Sequence, residues 1–371
     1  CTLCGDLCTV DMTRNAFGLS ARPPVDGGPR QLLCELGRQG LPELATGERL
    51  TTPLVRRDGR LAPATWDAAI TRAVEGLTRV AAEHGTGSLL VSGGGELTCE
   101  EAARLAALGR KGLHARTGSL TLVAADADTR VLDSVTGTTR SSATYEDLEA
   151  ASCVLVVGDD PMEANPVAAA RIRRAARRGA RIIAITSAPT RITGLADLCL
   201  EVRRGTSSLV LGWMLRKLLE ERRDSRDGGK VRQALTGVTP DRLRSDCGIS
   251  PASARAALEL LASVEGTVVA VASLDARLER SPGALPVLVE LVEILSDGAE
   301  GSGVLLTSRV PNLHGLRLAG LLPADDVEEA DLAAAIQGRN LRGAWIVRED
   351  PDENRDLGPA LARLEFLVVQ D

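Results

Sequence analysis

An α/β protein built on parallel sheets and headed by a small cysteine-rich lobe is the fold this sequence predicts, on three observations. Short apolar runs such as Cys153-Val154-Leu155-Val156-Val157 alternate with segments of helical periodicity, the pattern of strands covered by helices on both faces. Aromatic residues are scarce, with three Trp, one Tyr and two Phe, so the core must be aliphatic. Cys1, Cys4 and Cys8 stand within the first eight residues, and Cys34 follows after a gap of twenty-five.

The elements follow in order. Residues 9–19 alternate around Asn15 and read as a hairpin. Pro23, Pro24, Gly27, Gly28 and Pro29 make a loop that returns the chain to Cys34. Residues 66–82 have helical periodicity, with Thr65 as cap and Gly85 as stop. A strand is expected at 88–92, then a helix at 98–111 opened by the capping box Thr98-x-x-Glu101. Strands at 153–158, 181–185 and 198–202 flank a helix at 165–178 that ends at Gly179. A helix at 207–222, a strand at 267–272 and a helix at 284–295 come next, then strands at 304–307, 343–347 and 366–369. Asp224 to Gly229 reads as a surface loop, and there is no internal repeat.

Composition narrows the function classes. Apolar residues make up 44% of the 371 residues, charged residues 25%, and the net charge is −6. That balance gives no nucleic-acid footprint, and six aromatic residues make no stacking platform for bases. Arg171 to Arg181 carries a basic cluster that reads as a solvated helix face. No apolar run approaches the roughly 20 residues that cross a bilayer, so direct membrane insertion is not expected. The chain does not start with Met and is expected to be a segment of a longer polypeptide. A reducing, cytoplasmic setting suits its cysteines, with any attachment to the inner membrane made through partner subunits.

The C-x2-C-x3-C…C spacing carries the chemistry. Three close thiolates and a distant fourth suit a 4Fe–4S cluster held by Cys1, Cys4, Cys8 and Cys34. Zinc is the competing reading, although structural zinc sites favour two paired knuckles. A disulfide framework suits the chain less, because Cys99, Cys153, Cys199 and Cys247 are scattered singly. Cys153 and Cys199 fall in strands, so buried packing is expected of both. Cys99 stands in a first helical turn with no base near it in sequence, so no reactive role is expected of it. Asp325, Asp326, Glu328, Glu329 and Asp331 form an acidic run expected to be a solvated helix start.

Taken with these cysteines, several phrases resemble the molybdopterin oxidoreductase superfamily, which includes formate dehydrogenases, nitrate reductases and the large iron–sulfur subunit of complex I. They are Arg49-Leu50-Thr51-Thr52-Pro53-Leu54-Val55-Arg56, Pro63-Ala64-Thr65-Trp66-Asp67-Ala68-Ala69, Gly158-Asp159-Asp160-Pro161-Met162-Glu163-Ala164-Asn165-Pro166, and the segment from Asn312-Leu313-His314-Gly315 to Pro323. The resemblance implies a cluster lobe at 1–60 and an α/β domain at 61–124 plus 336–371. A second doubly wound α/β domain at 125–335 is expected to be inserted in the first, and the family's barrel-like C-terminal domain is expected to be absent from this segment. It also implies that Gly158, Asp159 and Asn165 belong to a pterin-nucleotide loop.

Four departures bear on molybdenum chemistry. Leu36 stands two residues after the fourth cysteine, where molybdenum-active relatives place a lysine, and Gly37-Arg38 resembles the complex I type. Residues 113–119 hold no thiol to ligate a metal, leaving only Thr117 or Ser119 as oxygen donors; the lone His114 reads as structural. Thr186-Ser187-Ala188 and Ser207 stand where guanine-binding carboxylates are usual. These departures leave molybdopterin guanine dinucleotide without its familiar partners. The leading expectation is therefore an electron-transfer subunit of an NADH:quinone oxidoreductase-type complex, with iron–sulfur and flavin subunits as partners and a vestigial pterin site. The alternative is a catalytic molybdenum or tungsten subunit such as a formate dehydrogenase. A third is an assembly subunit whose cysteines hold zinc or nothing.

Overall fold

The computed structural model describes residues 1–16, 18–25, 32–46, 49–119, 140–158, 160–222, 235, 237–273, 284–322, 332–349 and 357–371. Along the chain, a hairpin of β1 (Asp11–Asn15) and β2 (Gly18–Arg22) is followed by helix α1 (Glu35–Thr46). A second hairpin, β3 (Leu54–Arg57) and β4 (Arg60–Pro63), leads into α2 (Trp66–His84), β5 (Leu89–Gly93), α3 (Cys99–Ala107) and β6 (Arg116–Gly118). Then come α4 (Tyr145–Ala150), β7 (Cys153–Val157), α5 (Pro161–Ala164), α6 (Pro166–Arg177), β8 (Arg181–Thr186) and β9 (Leu198–Glu201). Helices α7 (Ser207–Arg222) and α8 (Pro251–Ala262), strand β10 (Val268–Ser273), helix α9 (Ala284–Ser296) and strand β11 (Gly303–Thr307) follow. The last elements used below are α10 (Leu313–Leu318), β12 (Gly343–Val347) and β13 (Phe366–Gln370).

The chain divides into two units, the first comprising Cys1–Leu3, Thr9–Ala124 and Val310–Asp371 and the second Cys4–Cys8 and Ala125–Arg309. In the first, a four-stranded sheet runs in the order β13-β12-β5-β6 with every neighbour parallel. Helix α2 starts where Thr65 Oγ1 accepts the Ala68 N–H at 3.3 Å and buries Ala73, Gly76, Leu77 and Val80. Helix α3 opens with the expected capping box: Thr98 Oγ1 accepts from the Glu101 N–H at 3.2 Å, and the Glu101 carboxylate accepts from the Thr98 N–H at 2.9 Å. It does not run on as an α-helix to residue 111. Residues Leu108–Leu113 form a π-helical turn, closed by His114 in the left-handed region at φ 49.

The second unit holds a five-stranded parallel sheet in the order β11-β10-β7-β8-β9. Every residue of β7 is buried, which is why a continuous apolar run, not an alternating one, encodes it. Val154, Val156, Ile182, Ala184, Val269 and Val271 of its strands pack with Leu148, Ile172 and Ile192 into one core. Chain order reverses between β7 and β10, so this sheet has its topological switch point there, and crevices beyond the carboxyl ends of the strands at such a point are where open α/β sheets bind ligands.

Two side-chain expectations are corrected. Cys199 is exposed, not buried, because β9 is an edge strand and Cys199 alternates with the buried Leu200. The basic stretch of α6 is not simply a solvated face either. Arg171 is buried, and Arg171, Arg174 and Arg178 converge on Glu149 of α4 at 2.5, 3.2 and 2.9 Å. Burial pushes the Glu149 carboxyl up, but hydrogen bonds from Arg171 and Arg174 outweigh it and hold the group below the usual carboxylate range. The loop at 224–229, the acidic run at 325–331, Pro323 and much of the 23–29 loop lie outside the described residues.

Candidate functional site

Cys34 immediately precedes helix α1, where its sulfur accepts the Gly37 N–H at 3.4 Å and its carbonyl accepts the Arg38 N–H at 3.0 Å. The sulfur is thereby fixed at a helix N-terminus by a backbone donor. Gly37 keeps the space here clear, and a side chain in its place would make Leu33 shift. A methyl at that position would lie 2.5 Å from Leu33 Cδ1 and 3.5 Å from the Cys1 sulfur. The first unit thus places Cys1 and Cys34 against one side-chain-free stretch of backbone. Leu36 is exposed in the same helix.

In the second unit, Cys4 is buried and its loop is tied down at three points. The Gly5 N–H donates to the Ser308 carbonyl at 2.9 Å. The Asp6 carboxylate accepts the Tyr145 hydroxyl at 2.5 Å and the Val167 N–H, in the first turn of α6, at 3.0 Å. Leu7 closes the turn at φ 47, its N–H donating to the Cys4 carbonyl at 3.3 Å. Burial, then the charge of Asp6 and its hydrogen bond, push the Tyr145 phenol far above its ordinary value, with Cys4 and Cys8 close enough to add to the shift. Tyr145 is therefore a neutral donor. It was not foreseen, since it lies 139 positions from its partner, and being the chain's only tyrosine was its one signal.

The 158–165 loop lies beyond the carboxyl end of β7. Gly158 has φ +90 with open space where a side chain would be, a conformation that glycine adopts without strain. Asp160 is buried; one of its oxygens accepts the Met162 N–H at 2.8 Å, and the other accepts from Arg191 and Ile192 at 2.7 and 3.3 Å. The loop after β7 is thereby fixed to the loop after β8. Asn165 is 0% exposed and donates its amide to the Ser308 carbonyl at 2.8 Å, while its Oδ1 is buried without a hydrogen-bond partner. Thr190 Oγ1, in the loop after β8, is likewise buried without a partner. Open buried acceptors are costly unless something donates to them. Asp159, the remaining residue expected in this loop, lies outside the described residues.

The later phrase places Asn312 in the first unit. Its backbone N–H donates to the Gly95 carbonyl at 3.0 Å, its amide to the Leu97 carbonyl at 2.7 Å, and Cys99 Sγ lies 3.6 Å from the same amide nitrogen. Ser119, one of the two oxygen donors expected near residue 117, gives its hydroxyl to Glu349, which also accepts from Ser92. Thr117 Oγ1 accepts from Arg110 at 3.2 Å.

Residues 49–223 match the model of the molybdopterin oxidoreductase family. The whole chain aligns at 24% identity with the F420-dependent formate dehydrogenase subunit alpha of Methanocaldococcus jannaschii, covering 60% of that protein. It is 31% identical to the assimilatory nitrate reductase of Haloferax mediterranei over 67% of this chain and 35% of the relative. Among solved structures, acetylene hydratase from Pelobacter acetylenicus superposes over the whole chain and 60% of its own length, with a TM-score of 0.78 and 15% sequence identity, which shows a shared fold. The chain thus spans about 60% or less of the curated relatives named here.

Proposed function

We propose that this relative of the molybdopterin oxidoreductases is part of the catalytic alpha subunit of a multi-subunit oxidoreductase of the formate dehydrogenase kind. The alignment of the entire chain with a formate dehydrogenase alpha subunit supports it. The structural observation that carries it is the buried carboxamide of Asn165, whose Oδ1 has no hydrogen-bond partner in the 158–165 loop. A loop that had lost its ligand would be expected to fill or satisfy that acceptor, since leaving it open costs about 1–3 kcal/mol. The loop instead keeps open space at Gly158 and an acceptor suited to an N–H or O–H of a pterin nucleotide.

Cys1, Cys4, Cys8 and Cys34 would hold one 4Fe–4S cluster, a reading that rests on their spacing. Within their own units, Cys34 is set at a helix start with room beside it at Gly37, and the Cys4 loop is anchored by Asp6, which supports the reading. Bound molybdenum or tungsten would supply two-electron chemistry, and formate oxidation releases carbon dioxide, one proton and two electrons. The chain's own residues orient the nucleotide and accommodate the cluster through which electrons leave. Partner subunits would take them up.

The relatives favour this catalytic reading over the electron-transfer subunit expected first. Leu36 in place of a lysine, the thiol-free residues 113–119, and Thr186 and Ser207 in place of carboxylates remain on the other side. The two are separated by adding formate to the anaerobic full-length protein with its partners and recording electron paramagnetic resonance. Formate should reduce the cluster without another donor. Reduction by dithionite or a reduced nicotinamide but not by formate would contradict the formate reading.

A further inference from the structure

Within the second unit, one carbonyl joins the cysteine loop to the loop beyond β7. The Ser308 carbonyl, one residue past the end of β11, accepts the Gly5 N–H at 2.9 Å and the Asn165 amide at 2.8 Å. Gly5 is the residue after Cys4, and Asn165 is the residue before helix α6. A second tie runs in parallel, because Asp6 accepts the Val167 N–H in the first turn of that helix. Two consecutive residues of the cysteine loop are thus bonded to the two ends of a three-residue stretch, 165–167, directly or through one oxygen. Asn165 is buried, and its Oδ1 is the open acceptor of the same carboxamide.

We infer that Asn165 is a positioning residue that couples a ligand donor at its Oδ1 to the electronic environment of the cluster, acting through the Ser308 carbonyl on the Cys4–Gly5 peptide. The inference rests on the cluster and nucleotide assignments above. The physics is direct. A donor on the ligand that bonds Asn165 Oδ1 polarises the amide, strengthens its N–H bond to Ser308, and competes with the Gly5 N–H for that carbonyl. The Gly5 N–H belongs to the peptide bond that follows Cys4, and hydrogen bonds and dipoles near the ligating sulfurs set the reduction potential of such clusters.

The test is a redox titration of the cluster, followed by electron paramagnetic resonance, on the anaerobic full-length protein and its Asn165→Ala and Asn165→Leu variants, with iron and sulfide measured on each. Asn165→Leu keeps the branched shape of the side chain and removes the donor without burying a charge, so it guards against a variant that fails to fold. The expected result is unchanged iron and sulfide, altered g-values, and a tenfold or larger change in the ratio of reduced to oxidised cluster at fixed potential. For a one-electron couple that is a shift of about 59 mV. A cluster with full iron and sulfide and the wild-type potential and g-values in both variants would overturn the coupling while leaving the cluster assignment intact. Absence of iron and sulfide from the wild-type protein itself would overturn the cluster assignment, and the coupling with it. Thr193→Ala serves as control, since its hydroxyl donates only to the Thr190 carbonyl at 2.6 Å; it should leave the spectrum unchanged, and an equal shift there would also overturn the specific role of Asn165.

Discussion

Gly37 and Cys34 show how much of the candidate site is decided by single residues. The cysteine uses the helix start to hold its sulfur, and the glycine keeps the space beside it clear of Leu33 and Cys1. Gly37→Ala is therefore expected to cost about 1–3 kcal/mol, the usual range for overpacking, and to lower the iron content; a variant with wild-type melting temperature and full iron would contradict the cradle. The scattered cysteines make a second test. Cys199 is exposed on an edge strand, where partial burial raises its thiol, whereas burial, with Asp197 adding to it, pushes the Cys153 thiol up to about 12. Iodoacetamide at pH 8 should alkylate Cys199 well before Cys153, because only the thiolate reacts. Mass spectrometry of the peptides reads the order, and equal labelling would refute the burial assignment.

At the scale of elements, the parallel strands were legible because complete burial demands unbroken apolar runs, as in β7 and β8. The helix at Trp66–His84 was legible from its period and caps. Helix α4 was not, since six residues carry too little periodicity, and its role depends on partners far along the chain. Tyr145 reaches Asp6, and Glu149 gathers three arginines from α6 and the turn after it. The π-helical turn after α3 was missed for a similar reason, its residues being ordinary helix formers until the left-handed His114. Glu149→Ala leaves the buried Arg171 without this carboxylate, and removal of one partner of a buried pair costs about 3–5 kcal/mol. Thermal unfolding should show that loss near neutral pH. The sign of its pH dependence follows from the lowered carboxyl. The contribution is complete above the ordinary glutamate range of about 4.3 and is lost as pH falls through the lowered folded value. The gap between wild type and Glu149→Gln should accordingly stay level from pH 8 to 6 and close only in strong acid; a gap that widens on acidification would contradict the pairing.

For the molecule as a whole, the mixed α/β fold with parallel sheets and the superfamily resemblance were both present in the sequence, through strand pattern and ordered phrases. The choice between a retired scaffold and a living enzyme was not. It turned in the sequence on residues that the chain lacks, at Leu36, Thr186 and Ser207, whereas the structure adds an atom that is present and unsatisfied, Asn165 Oδ1. Among the described residues no helix is long and apolar enough to cross a membrane. The most direct test of the catalytic reading is the metal content of the anaerobic full-length protein with its partner subunits, measured together with labile sulfide and released pterin. One molybdenum or tungsten atom with a pterin nucleotide, alongside iron and sulfide sufficient for the Cys1, Cys4, Cys8 and Cys34 cluster, is the predicted result. Iron and sulfide with neither metal nor pterin would contradict it, and would make the chain an electron conduit built on an emptied catalytic fold.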